Sequence, residues 1–213
     1  MKPITVIAGV LTVASVALAS PPEIPKTPAA VDELVYARPF TLEKGFKFLW
    51  CKERPNVTTG TLLVLKVDKA LVVPRAMPMP VLYVGDQTAE RVNHGHKSGH
   101  VIAVVPGEAD LTKVPIWFGT PRLPERVDAS TAKSERALAE QAGIGPFSEK
   151  DVEAALAKGG EPIKTTDKSA LLRDQVAELI LEYSPDEKHL ADGFRVPVIT
   201  KQKKLKPKQS AED

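Results

Sequence analysis

Thr61-Leu62-Leu63-Val64-Leu65-Lys66-Val67 is a nearly unbroken apolar run, closed in front by Gly60 and behind by Asp68-Lys69. Its length and its turn-forming borders predict a β-strand. On either side of it, short apolar or alternating runs recur at 46–51, 70–73, 81–84, 88–92, 100–105 and 116–118. Turn chemistry separates them: Pro55-Asn56, Asp68-Lys69, the proline-rich 74–80, Gly85-Asp86, Lys97-Ser98-Gly99 and Pro106-Gly107. Pro78 and Pro80 have no N–H for a ladder, so that stretch is expected at a sheet edge or in a crossing loop.

Seven such strands between residues 34 and 127 predict an antiparallel β-sandwich-like domain or a partly open barrel. The succession resembles immunoglobulin-type architecture in pattern, although the Cys and Trp hallmarks of antibody domains are absent. After Pro124 the period changes, which makes the fold class α+β, with a small helical subdomain at 128–200. Asp128 or Ser130 can cap a first helix ended by Gly143 and Gly145. Ser148-Glu149-Lys150-Asp151 resembles a capping box with Asp in place of Glu, opening a second helix that stops at Gly159-Gly160. In a third, Leu172, Val176, Leu179, Ile180 and Tyr183 share one face, with Asp167 as a cap and Pro185 as a stop. Residues 195–200 suit a last strand returning to the sheet.

The N-terminus reads as an address. An uncharged, largely apolar run at 4–18 follows Lys2 and ends in Ala17-Leu18-Ala19, the small-x-small pattern of signal-peptidase sites. Residues 1–19 are therefore expected to be a cleaved signal peptide, and the run is too short for a spanning helix, which needs roughly 20 residues. A proline-rich linker at 20–33 leads into the fold. The mature chain is expected to carry no transmembrane segment and to be exported, to a periplasm or to the extracellular space. Lys plus Arg is 29 against 27 for Asp plus Glu, so the net charge of +2 gives no global drive toward nucleic acid. The tail at 201–213 carries Lys201, Lys203, Lys204, Lys206 and Lys208. It is expected to be a solvated end, with weak contact to an anionic surface as its functional reading.

Cys51 is the only cysteine, which excludes a disulfide scaffold and points to an inert core thiol. Asn56-Val57-Thr58 satisfies the N-glycosylation sequon. Trp50 and Trp117-Phe118 lie in strand-like runs and are expected to pack in the core.

Chemistry concentrates in His94-Gly95-His96-Lys97-Ser98-Gly99-His100, which holds three of the four histidines. Neutral imidazoles suit zinc or copper, so His94, His96 and His100 are the candidate metal ligands. A three-residue loop at 97–99 would set His96 opposite His100 and bring all three rings to one face. A two-residue loop at 97–98 would turn His100 away. The His-x-His pair also begins the metal motif of metallo-β-lactamase-type hydrolases, but their following Asp-His and downstream ligands are missing, which excludes that family. Asp86, Glu90, Glu108 and Asp110 surround the cluster in sequence. No Gly-x-Ser-x-Gly, phosphate loop, Gly-x-Gly-x-x-Gly, His-Glu-x-x-His or Cys-x-x-Cys is present. These absences weigh against an enzyme. The expected function is an exported, non-catalytic structural or binding module for an envelope polymer or protein, the alternative being a zinc or copper protein built on the histidines.

Overall fold

Residues 28–46, 57–72, 78–123, 126–165 and 169–194 are described in the structure, a computed structural model. The expectations for the signal peptide, Trp50, Cys51, Asn56, the Asp167 cap, the strand at 195–200 and the lysine tail lie outside them.

The opening apolar run becomes part of β3 (Val57–Lys66), and its lack of alternation has a physical reason. Leu63 and Leu65 enter one apolar cluster while Leu62 and Val64 enter another, so both faces of the strand are buried. Around it, β2 (Glu33–Phe46) and β7 (His100–Pro106) pair antiparallel with β3, and β6 (Glu90–Arg91) pairs antiparallel with β7. The other sheet has the order β1-β8-β4-β5, from Ala29–Ala30, Ile116–Pro121, Pro80–Val84 and Gln87–Thr88, and is antiparallel throughout.

The two sheets share an apolar layer. Leu63, Leu65, Val101, Ala103 and Val105 of one meet Leu82, Val84, Ile116 and Phe118 of the other. The opposite face of the β3 sheet packs on α3 (Ser169–Tyr183) and α4 (Lys188–Phe194) through Leu172, Val176, Leu179, Ile180 and Ala191. The opposite face of the second sheet carries Tyr83 stacked on Trp117, ring centroids 5.1 Å apart, against Ala132 and Ala139 of α1 (Ala129–Gln141). The mixed α and β content of the sequence reading is thus present, with helices on the outer faces of both sheets.

Several elements differ from expectation for identifiable reasons. Only the onset of β pattern is readable across the 14-residue β2, because Pro39 and the charges at Glu33, Arg38, Glu43 and Lys44 interrupt it. Pro39 pairs with Thr61 of β3 and lies just before Phe40, Thr41 and Leu42, the residues paired on the other side of the strand. Of the strand expected at 70–73, the described residues 70–72 form none: the Asp68 carboxylate accepts the Ala70 N–H at 2.9 Å and winds Lys69–Leu71 into a 3-10 turn. The expected strand at 88–92 splits at Ala89, Thr88 pairing with Tyr83 in one sheet and Glu90 with Val104 in the other.

The antiparallel expectation fails at one strand, β9 (Ile163–Thr165), which joins β2 in parallel. The cause lies in α2 (Glu149–Gly159), capped by Ser148, whose Oγ accepts the Asp151 N–H at 3.2 Å and donates to the Asp151 carboxylate at 2.6 Å. Its Val152 and Ala155 enter the layer between the sheets, and its last residue, Gly159, rests on the backbone of Ala37 in β2. The chain leaving α2 is therefore delivered beside β2, where Arg38 Nε donates to the Glu161 carbonyl at 2.7 Å.

Candidate functional site

The histidine loop joins β6 to β7, and the ladder between them changes character as it approaches the loop. Val92 N–H still donates to the Ile102 carbonyl at 2.7 Å. One residue later a side chain replaces the backbone: Asn93 Oδ1 accepts the Ile102 N–H at 2.7 Å, and its Nδ2 donates to the His100 carbonyl at 2.9 Å. Gly95 and Gly99 then face each other, the Gly99 N–H donating to the Gly95 carbonyl at 2.7 Å. Both have positive φ, 67° and 71°, and a Cβ on Gly95 would lie 2.4 Å from the His100 carbonyl oxygen. The loop is therefore His96-Lys97-Ser98, one residue earlier than the three-residue alternative.

A segment some ninety residues further along the chain locks this loop. Glu187 is 2% exposed, and its two carboxylate oxygens accept the N–H groups of His94 at 3.2 Å and Gly95 at 3.1 Å. His96 Nδ1 lies 3.5 Å from Glu187 Oε1. Ser184, fully buried, accepts a hydrogen bond from Asn93 Nδ2 at 2.5 Å, donates to the His100 carbonyl at 3.3 Å and shares one with Ser98 Oγ at 3.0 Å. Because Ser184 is engaged this way, it makes no side-chain cap for the 3-10 turn Pro185–Glu187 that follows it.

The three histidines have different surroundings. His94 donates its backbone N–H to Glu187, while partial burial of its ring lowers the imidazole pKa below the ordinary value against the opposing charge of Glu187. His96 approaches Glu187 with its ring, whereas His100 turns toward α3, its ring 5.5 Å from that of Tyr183. Among the described residues, no three His, Cys, Asp or Glu side chains are grouped so that they could hold a metal ion. The neighbouring carboxylates are also dispersed. Asp86 pairs with Arg136 at 3.1 Å, and Asp110, bonded to Lys113 and Thr112, is held down to about 2.

Glu187, Ser184 and Asn93 were not singled out by sequence. Ser-Pro-Asp-Glu at 184–187 carried a signal, since Ser followed by Pro and acidic residues marks a helical start as well as the stop assigned to Pro185. No local pattern pairs it with the histidine loop. No known family, curated protein or solved structure matches this chain.

Burial lowers the pKa of His100 below its ordinary 6.5, with Lys66 and Lys158 adding to the effect and Ser98 and Glu33 opposing it. A depressed imidazole pKa means that the unfolded chain takes up the proton first. Its contribution to stability is therefore complete above about pH 7 and declines as pH falls through 6.5 toward the folded-state value. Melting temperature should drop between pH 7.5 and 5.5 (about one unit either side of the free imidazole value), and His100→Gln should show a smaller drop. Equal drops in the two proteins would remove His100 from the pH response.

Proposed function

We propose that this chain is an exported, non-catalytic structural or binding module acting in a periplasm or outside the cell. The observation that supports it most directly is the use made of the histidine loop. The polar groups of Asn93, Ser98, Ser184 and Glu187 are engaged with one another and with the loop backbone, an arrangement that fixes a conformation. The apolar layer shared by the sheets supports a sandwich-like reading of the β-structure. The signal-peptide pattern at 1–19 supports export, and an envelope polymer or a protein is the proposed partner. Weak anionic-surface contact through the lysine tail is part of the same reading.

The competing reading is a zinc or copper protein using His94, His96 and His100. Untagged protein should contain well under one equivalent of either metal, and its melting temperature should be the same with and without a chelator. A specific centre stabilises the folded state by mass action, about 4 kcal/mol at a thousandfold excess over the dissociation constant. Stoichiometric zinc or copper, with melting temperature falling on chelation, would establish the metal reading instead.

A further inference from the structure

An open cleft of about 360 Å³ lies where β4 and β8 begin and end, lined by Pro78, Pro121, Arg122, Leu123 and Arg126. That volume is within the range of small-molecule sites. Its walls are held in place. Pro80 pairs with Pro121, and Arg122 N–H donates to the Met79 carbonyl at 3.1 Å, so the two strand ends cannot separate without breaking the sheet. Arg126 N–H donates to the Leu123 carbonyl at 2.9 Å, which keeps Arg126 beside Leu123.

The described lining is apolar apart from two guanidinium groups in different states. Arg122 Nη2 is bound at 2.8 Å to Glu135, a carboxylate 4% exposed that also accepts the Thr120 N–H at 3.1 Å. Its charge is balanced and its position fixed. Arg126 is exposed, and among the described residues no carboxylate pairs with it. Among the described residues, two guanidiniums against one carboxylate give the cleft an excess positive charge beside proline and leucine surface.

We infer that this cleft binds a small organic carboxylate with an apolar body, Arg126 gripping the carboxylate while Pro78, Pro121 and Leu123 cover the body. A guanidinium offers two parallel N–H donors to a carboxylate, and the prolines lose no side-chain freedom on contact. The inference rests on the binding-module reading and names its ligand class. Failure here leaves the metal measurement above as the separate test of that reading.

The test is a titration of the full chain with octanoate and, in parallel, with octanol, followed by the amide NMR signals of 122, 123 and 126. Octanoate should shift those signals saturably, octanol should bind at least about tenfold more weakly, and Arg126→Gln should weaken octanoate by a similar factor. Arg126 is exposed, so this substitution is expected to leave the fold intact, and a melting curve checks it. Absence of saturable shifts at millimolar octanoate, shifts confined to another surface, equal binding of octanol, or an unaffected Arg126→Gln protein would each overturn the inference.

Discussion

Glu187→Ala is expected to destabilise the protein by about 3–5 kcal/mol, the range found when one partner of a buried polar or ionic set is removed. Its side chain satisfies two backbone N–H groups, those of His94 and Gly95, at a position only 2% exposed. Alanine supplies no acceptor, and the loop cannot simply fold down onto the gap, because Gly95 is already tied to Gly99 and backed against the His100 carbonyl. For a chain of this size the loss corresponds to a fall in melting temperature of roughly 6–20 °C. Glu187→Gln keeps the shape and one acceptor oxygen but turns an NH2 group toward the other N–H, so an intermediate fall is expected. Hydrogen exchange gives the local readout: the amides of His94, Gly95 and Gly99 should lose protection in Glu187→Ala before those of β3 do. A melting temperature near that of the parent, with those amides still protected, would show that the loop holds its shape without the carboxylate.

The same residue shows where sequence reasoning stopped. Runs such as 61–67 and 100–105 were legible because both faces of β3 and β7 are buried, and such strands are apolar along their whole length whatever their partners. The helix starts at Asp128 and Ser148 were legible because capping is local chemistry, decided within three residues. β2 was hidden by its own composition, since Pro39 and four charged positions mask a strand whose burial comes from α2, α3 and β3. The histidine loop was legible as a concentration of imidazoles and not as a geometry. Its register is fixed by Asn93 filling a ladder position and by two glycines at positive φ, and its contents are fixed by Ser184 and Glu187. Contacts across ninety residues leave no trace in spacing or periodicity. The parallel β9 is of the same kind, because its direction follows from how α2 lies on β2.

That docking makes Gly159→Ala the other large expected effect. A Cβ at position 159 would sit 2.0 Å from the Ala37 carbonyl oxygen and 2.8 Å from its carbonyl carbon. Both sides of the clash are backbone, so no rotamer change relieves it. α2 would have to lift by about 1 Å, a displacement that forfeits much of the dispersion attraction of the side chains it buries. Those are Val152 at 5% exposure and Ala155 at 1%, both in the layer between the sheets. The strain passes on to β9, which begins four residues later and depends on the same approach to pair with Phe40, Thr41 and Leu42. A loss of about 3 kcal/mol is expected, at the upper end of overpacking costs. Gly145→Ala is the matched control, with no atom within 4 Å of its Cβ, and should stay within about 0.5 kcal/mol of the parent. Urea unfolding of the three proteins measures both. If Gly159→Ala unfolds at the parent's midpoint, α2 is not seated on Ala37, and the reason given for the parallel pairing of β9 goes with it.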